Sequence, residues 1–395
     1  MKEVLKSYKY RIEPNTEQKI LLNKHFGSVR YVYNYFLNER KNQYRETKKS
    51  DNYVAQANKL TNLKKEENTV WLKEINSQTL QQTLKNLEAS FLNFYRGNSQ
   101  FPNFKSKRSK NSFRVPQHIT IADNNIFVPK FNDGIKLINH REFNGEIRQC
   151  TFSKDCRNKY FVSILVATTH EQLPQTGKSV GIDLGIKDFA VTSDGIKYKN
   201  HRYTKRYERE LKLAQQHLSR KQKDSHQSEK QRLKVARIHE KISNSRKDTL
   251  HKISTKLVRY YDLICLEDLN VKGMVKNYKL AKHISDCGWS MFVSMLEYKA
   301  NWNDKQIVRI ARFFPSSKTC NKCGWIKYDL TLNDREWICE SCGYKHDRDI
   351  NASKNILLEG LCLLSSGTGE YTDGDDVSRS NTLLSVKSEI SKFLI

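Results

Sequence analysis

The sequence lacks long hydrophobic runs and is short of acidic residues. No uninterrupted apolar stretch approaches the roughly 20 residues that span a bilayer. The first residues, MKEVLKSYKYRIEP, do not contain the apolar core of a signal peptide. These absences argue against a membrane protein and a secreted protein, so we expect a globular protein of the cytoplasm.

The shortage of acids leaves a large positive charge. The 395 residues include 70 Lys and Arg but only 43 Asp and Glu, which gives a formal charge of +27. Such an excess strains a compact fold by self-repulsion unless a polyanion offsets it. Because phosphate contacts supply much of the affinity in nucleic-acid complexes, nucleic acid is the expected partner. A basic but otherwise ordinary protein, such as a ribosome-associated one, is the alternative.

The cysteines do not form a disulfide framework. Their number is odd, and five of the nine are scattered, which favours a reducing compartment. The other four form two Cys-x-x-Cys pairs separated by fifteen residues, which is the spacing of a zinc ribbon: Cys320, Cys323, Cys339 and Cys342. Gly324 and Gly343 follow the pairs and permit tight turns. We expect one structural zinc ion here, with His346 nearby but surplus to the four thiolates.

The N-terminal half reads as a β-barrel interrupted by helices. Residues 1–13 alternate like a strand, and five short alternating stretches follow within residues 100–172, so we expect a small antiparallel barrel that the first strand closes. Residues 14–99 form a helical lobe with two apolar stripes at helical spacing. The stripes are Leu21, Leu22, Phe26, Val29, Tyr33 and Phe36, and then Leu80, Leu84, Leu87, Phe91 and Phe94.

Two polar segments of this half are candidates for nucleic-acid contact. One is the polar face of the second helix. The other is the segment FPNFKSKRSKNSFRV, in which five basic residues alternate with aromatic ones, a pattern that suits phosphate contact and base stacking. An exposed loop anchored by its aromatics is the alternative. The candidate residues are Gln78, Gln82, Lys85, Lys105, Lys107 and Arg108.

The C-terminal half has the element order of an α/β domain. After a linker, EQLPQTGK, residues 178–360 read as strand, hairpin, helices, strand, helix, strand and helix, with a zinc ribbon inserted at 316–346. A basic helical hairpin covers residues 201–260, which contain 18 Lys or Arg and 6 acids. This excess favours a nucleic-acid contact surface over a merely solvated face. Residues 361–395 read as a flexible tail.

Three acids of this half stand where an α/β domain places a metal site. Asp183 lies in an apolar strand, where an unpaired carboxylate is costly, and Glu267 ends a second apolar strand. Asp349 opens the last helix, where helix capping is the competing role. Together the three acids suit two Mg²⁺ or Mn²⁺ ions, which activate water and stabilise the leaving oxygen of a phosphodiester. Asp268 alternates to the opposite face from Glu267 and is excluded.

Three blocks of sequence carry a resemblance to a known family. GIDLG at 181–185, LEDL at 266–269 and the block CNKCG…CESCG…DRDINASKNI at 320–356 resemble the RuvC-like nuclease of the TnpB/OrfB family of insertion-sequence proteins. That prokaryotic family is a compact relative of type V CRISPR effectors. YKYRIEPNTEQ and FPNFKSKR extend the resemblance to the N-terminal half.

The resemblance implies roles for the acids and for the partners. Asp183, Glu267 and Asp349 take the places of the family's three catalytic acids, and Asp349 is chosen over Asp347 because the family's acid stands two residues before the Asn that is Asn351 here. It also implies an RNase H-like (RuvC) domain, a guide RNA, and cleavage of matching double-stranded DNA next to a short motif. Two alternatives stay open, a transposase that joins strands and a guide-directed regulator that has lost cleavage.

Overall fold

The computed structural model describes residues 2–107, 109–331 and 333–366, and the chain folds into two compact units that divide between Thr169 and His170. No helix in these ranges combines the length and the apolar character needed to cross a membrane. Each unit has its own buried core. The units are described in turn.

The first unit combines four helical segments with one sheet. Its helices are α1 (Thr16–Thr47), α2 (Tyr53–Leu63), a 3-10 helix (Glu67–Glu74) and α3 (Ser77–Tyr95). Its strands are β1 (Lys2–Glu13), β2 (Asn111–Val115), β3 (Thr120–Ala122), β4 (Asn125–Val128), β5 (Phe131–Ile138), β6 (Glu146–Lys154) and β7 (Tyr160–His170).

The long helix α1 begins at a reciprocal cap. The Asn15 side chain accepts from the Gln18 amide at 2.8 Å, and the Gln18 side chain accepts from the Asn15 amide at 3.1 Å, so two otherwise unpaired donors are satisfied. The helix ends at Lys48, which adopts the left-handed conformation. The predicted stripes of α1 and α3 lie in the core, except that Leu21 is half-buried and Phe94 is exposed.

The sheet of the first unit has its first strand at the centre. The strand order is β2-β6-β7-β1-β5-β4-β3, and the edge strands of the described sheet, β2 and β3, do not pair with each other. The first strand thus joins β7-β6-β2 to β5-β4-β3, and closure of the sheet into a barrel stays a prediction. With twelve residues, β1 is long enough to take the middle of the sheet between β7 and β5, where both its edges find partners.

The second unit is a sheet between helices. Its strands are β8 (Ser179–Asp183), β9 (Asp188–Thr192), β10 (Lys197–Lys199), β11 (Leu263–Glu267), β12 (Gln306–Ile310), β13 (Glu336–Ile338) and β14 (Lys345–Asp347). Its helices are α4 (Tyr203–Arg206), α5 (Glu208–Ser219), α6 (His226–Tyr260), α7 (Val271–Met274), α8 (Tyr278–Cys287), α9 (Trp289–Trp302) and α10 (Arg348–Ser365). The expected basic hairpin is present as α5 and α6.

The main sheet has the order β10-β9-β8-β11-β12. Strands β8, β11 and β12 run parallel to one another, and β9 runs antiparallel to both of its neighbours, β8 and β10. Alternation along β11 divides the core. Ile264 and Leu266 pack with residues of α6 and α9, whereas Leu263 and Cys265 pack with residues of α10. The helix α10 therefore covers one face of the sheet, and α6 and α9 cover the other.

The segment expected to be a linker is held against the second unit. Asp262 accepts hydrogen bonds from the amides of Thr176 and Gly177, both at 2.6 Å, and forms an ion pair with the buried Lys305 at 3.1 Å. A buried ammonium needs such a partner. Asp262 therefore joins the segment to Lys305, which directly precedes β12.

The C-terminal helix is longer than expected. The tail was predicted to begin at residue 361, but α10 continues to Ser365 because Leu363 still packs in the core. The rest of the predicted tail, residues 367–395, lies outside the described residues.

Candidate active site and cysteine cluster

Strand alternation aims two of the three predicted acids at the same helix. The parallel strands β8 and β11 pair Ile182 with Leu266, so Asp183 and Glu267 follow side by side at the carboxyl ends of neighbouring strands. Because Ile182 and Leu266 face the opposite core, the next residue of each strand faces α10. The two carboxylates therefore lie at the same edge and on the same face of the sheet.

Two glycines let α10 approach that face. A Cβ on Gly181 would lie 2.0 Å from the carbonyl oxygen of Ser353, and one on Gly360 would lie 2.2 Å from the sulfur of Cys265. At Gly181 the backbones of strand and helix thus touch directly, and at Gly360 the helix backbone packs on the Cys265 side chain. Since α10 begins at Arg348, this contact brings Asp349, in the first helical turn, to the strand ends that carry the other two acids.

Burial and like charge act together on Asp183. Burial is the largest cause, and with the carboxylates of Glu267 and Asp349 it raises the pKa of Asp183 to about 7, against a smaller opposing effect of Arg348. Burial also raises the pKa of Glu267, although a hydrogen bond from the Ser316 hydroxyl to Oε1 of Glu267 partly opposes it. The three acids thus form a half-buried cluster of like charge. Such a cluster is suited to a divalent cation.

Neighbouring acids have other partners. Asp347, rather than Asp349, caps α10, because its Oδ1 accepts from the amides of Asp349 and Ile350 at 3.1 Å. Despite its burial, an ion pair with Lys197 at 2.6 Å and these amides hold the pKa of Asp347 below its usual value. The competing capping role of Asp349 is therefore wrong. Asp349 itself has a long ion pair with Arg335, at 3.8 Å.

Asp268 is also occupied. Its carboxylate forms ion pairs with Arg309, at 3.7 Å, and with Arg312. This agrees with the expectation that alternation turns Asp268 away from Glu267. The positive partners leave it no part in the acidic cluster.

The four cysteines lie together in the described part of the chain. One ligand atom from each comes within 4.8 Å of the others, with Sγ–Sγ distances of 3.7 Å for Cys320 and Cys342 and 3.6 Å for Cys323 and Cys339. Four sulfurs arranged tetrahedrally at 2.3 Å from a zinc ion are about 3.8 Å apart. The donor set and its dimensions therefore fit zinc.

The turns of the cluster form as the glycines indicate. Gly324 and Gly343 both have positive φ, at 84° and 67°. Their amides donate to the carbonyls of Cys320 and Cys339, at 2.9 and 2.8 Å. His346 is buried and places Nε2 3.0 Å from the sulfur of Cys320. It was expected to be nearby and surplus, and the structure adds this direct contact.

The sequence did not reveal the residues that connect the two sites. Asn351 and Asn355 of α10 are both 2% exposed and donate to the carbonyl of Thr319, at 2.7 and 2.6 Å. Asn355 also donates to the carbonyl of Ser316, at 2.8 Å. Two amides spaced four apart in an apolar helix are a signal that could have found the asparagines. No feature of the neighbouring sequence singles out Ser316.

The nucleic-acid candidates of the first unit have different surroundings. Gln78 and Gln82 are half-buried and Lys85 is exposed, all on one face of α3. Lys105 is half-buried, and its ammonium lies over the ring of Tyr33 at 3.8 Å, so it anchors its loop. Lys107 is exposed, and Arg108 lies outside the described residues. Nucleic-acid contact by these residues stays a prediction.

Comparison with known proteins gives the chain a family. The family model "Probable transposase" matches residues 162–278, and "Cas12f1-like, TNB domain" matches residues 289–356. A "Putative RNA-guided DNA endonuclease" of Streptomyces pristinaespiralis is 39% identical over 93% of this chain and 92% of its own length. InsQ of Escherichia coli strain K12, with the same description, is 30% identical over 92% and 94%. The chain belongs to the TnpB/OrfB family.

The fold of this TnpB/OrfB chain is also found in a solved structure. The structure is that of a Cas12f1–sgRNA–target DNA complex, with a TM-score of 0.56, 13% identity, and coverage of 90% of this chain and 98% of that chain. At this low sequence identity, the structural similarity shows a shared fold. It says nothing by itself about shared chemistry.

One family description does not match the local structure. A model described as "Helix-turn-helix domain" matches residues 1–49 of this TnpB/OrfB chain. In the described residues of that range, the strand β1 is followed by a single helix of 32 residues, Thr16–Thr47, without a turn between two helices. The N-terminal segment therefore contributes a strand and a helix to the first unit.

Proposed function

We propose that the chain is an RNA-guided endonuclease that cleaves double-stranded DNA. The observation that carries the proposal is the meeting of Asp183, Glu267 and Asp349 on the face of the sheet that α10 covers. The five-stranded order, three antiparallel strands continued by two parallel ones, is that expected for an RNase H-like domain. The names of the two relatives supply the guide RNA and the DNA substrate.

The three carboxylates would hold two Mg²⁺ or Mn²⁺ ions. The donor set fits, because it offers only oxygen ligands, and because a cation would relieve the like charge that raises the pKa of Asp183. Bound ions of this kind neutralise charge on a phosphodiester and generate a nucleophilic hydroxide from water. The strands β8 and β11 and the helix α10 hold the acids in place, and Asp347 keeps Lys197 paired at the helix start.

The charge of the second unit supports a nucleic-acid substrate. A groove of about 600 Å³ lies between α5 and α6, and most of its ionisable side chains are basic. These are His217, Lys221, Lys230, Lys234, Arg237 and Lys241, against the single acid Glu210. Such a groove suits a phosphate backbone, which carries affinity without sequence preference.

Strand transfer is a second candidate, favoured by the description "Probable transposase". The same acidic site serves hydrolysis and transfer, so the two are separated by supplying a DNA end with a free 3′-hydroxyl beside the target. A joined product would establish transfer. A regulator without cleavage would be expected to lack an acid, and all three are present.

The test starts from the RNA that co-purifies with the protein. After sequencing it, DNA that matches its variable end is incubated with the complex and Mg²⁺. We expect cleavage of matched but not scrambled DNA, and a loss on the order of 10³-fold or more in Asp183→Ala with RNA binding retained. Asp268→Ala is the matched control and should stay active. Wild-type protein that leaves matched DNA intact, or an active Asp183→Ala, would refute the proposal.

A further inference from the structure

Ser316 is a buried side chain in contact with the acidic cluster. It lies in the segment between β12 and Cys320, is 7% exposed, and donates its hydroxyl hydrogen to Oε1 of Glu267. In the described residues this is the one side-chain hydrogen bond found for that carboxylate. A glutamate has three side-chain torsions, so a single donor at one oxygen limits the directions in which the other oxygen can point.

The segment that carries Ser316 is itself fixed by α10. Asn355 donates to the carbonyls of Ser316 and Thr319, at 2.8 and 2.6 Å. Asn351 donates to the carbonyl of Thr319 at 2.7 Å and accepts from the amide of Asn321 at 3.0 Å. Buried amides with several good partners are costly to disturb, so the segment is held firmly.

These contacts form a continuous path from one acid to another. Asp349 lies in the first turn of α10, Asn355 lies further along the same helix, and Ser316 joins Asn355 to Glu267. The helix that supplies one carboxylate thus also sets the direction of a second one, which belongs to β11. The two asparagines are explained by the backbone carbonyls of this segment, which need hydrogen-bond donors. That need does not explain why residue 316 carries a hydroxyl.

We propose that Ser316 is a positioning residue for Glu267 and that Asn355 holds it in place. The proposal rests on the function proposed above, because it concerns cation binding by the same acids. Groups that orient a metal ligand typically change metal affinity by about 10- to 100-fold when they are removed. The hydroxyl of Ser316 is therefore expected to strengthen Mn²⁺ binding at the acidic cluster, and to do so only through Glu267.

The experiment measures Mn²⁺ binding to the full-length, zinc-containing protein by electron paramagnetic resonance. Ser316→Ala should raise the Mn²⁺ dissociation constant by about 10- to 100-fold, and Ser316→Thr, which keeps the hydroxyl, should recover most of the affinity. Ser317→Ala is the matched control, since the adjacent serine has no side-chain hydrogen bond among those found for the described residues. It should bind Mn²⁺ like the wild type.

Folding is followed by the melting temperature of each variant. If Ser316→Ala does not fold, Asn355→Ser decides, with a weakened Mn²⁺ affinity expected because Ser316 loses its hold. A folded Ser316→Ala with wild-type affinity, or a Ser316→Thr as weak as Ser316→Ala, would overturn the inference. If wild type and Asp183→Ala bind Mn²⁺ alike, the proposed function fails instead, so the two failures are distinguishable.

Discussion

The acidic cluster and the cysteine cluster lie in the same unit, but the fold assembles them in different ways. The cysteines come as two short pairs on turns that their own glycines close, and their ligand atoms gather within 4.8 Å. The carboxylates come from two strands and a helix that are far apart in sequence. In the described residues they do not form a comparably tight set of ligands.

The difference is the one expected between a structural metal site and the proposed catalytic one. Four thiolates close a tetrahedral shell and leave no position for a substrate, whereas a few carboxylates leave positions open. The acidic cluster is also under electrostatic strain, since burial and its neighbours raise the pKa of Asp183. Perturbed groups of this kind concentrate at functional sites. The following changes test the two halves of the comparison, beginning with the largest expected effect.

Removing one thiolate should destroy the closed site. Cys320 is buried at the centre of the ribbon, so Cys320→Ser should lower the zinc content by about one equivalent and loosen the hairpin of β13 and β14. Metal content is measured by mass spectrometry of the purified protein. The control is Cys156→Ser, at an exposed cysteine outside the cluster. Unchanged zinc in Cys320→Ser would reject the site.

The strain of the acidic cluster should appear as a pH dependence of stability. In the folded chain the pKa of Asp183 is about 7, against 3.8 for the ordinary group. Between these values the unfolded state releases its proton and the folded state keeps it, so rising pH destabilises the fold. The loss amounts to at most about 4 kcal/mol and is complete above pH 7.

Asp183→Asn removes this titration. In buffer without Mg²⁺ or Mn²⁺, the variant should gain stability relative to wild type as the pH rises from 4 to 8, measured by urea denaturation. Glu267, whose pKa burial also raises, leaves a smaller dependence of the same sign in both proteins. Identical pH profiles for the two proteins would contradict this account of the cluster.

The glycine contact that places Asp349 can be tested by one methyl group. In Gly181→Ala the new Cβ would meet backbone atoms of Ser353 and Leu357 at 2.0 and 2.5 Å, so α10 must move, at a cost of about 3 kcal/mol. Gly27→Ala is the control, because that helical glycine has open space around it and should gain up to about 1 kcal/mol. Equal stability of both variants, measured by urea denaturation, would contradict the close packing of α10 on β8 at Gly181.

Local patterns in the sequence were enough to predict the cysteine cluster and most helices and strands. The spacing of Cys320 to Cys342 and the glycines after each pair describe the site almost completely, because all its parts are neighbours in the chain. Likewise, the apolar run around Asp183 predicts the strand β8, although the strand ends at Asp183 itself.

What the sequence could not predict depends on contacts between distant segments. The central place of β1 follows from pairing with β5 and β7, and the capping role of Asp347 instead of Asp349 follows from where α10 begins. Ser316 acquires its partner only when the segment after β12 folds over β11. The contact of the Lys105 ammonium with the ring of Tyr33 likewise joins a loop to the helix α1, far away in sequence.

The most direct test of the central claim compares two acids that stand two residues apart. In the guided DNA cleavage assay, Asp349→Asn should lose activity on the order of 10³-fold, because a carboxylate of the metal site is gone. Asp347→Asn should stay within about tenfold of wild type, since Asn caps a helix as well as Asp and only the Lys197 ion pair is lost. The reverse order, with Asp347→Asn inactive and Asp349→Asn active, would contradict the assignment of the site.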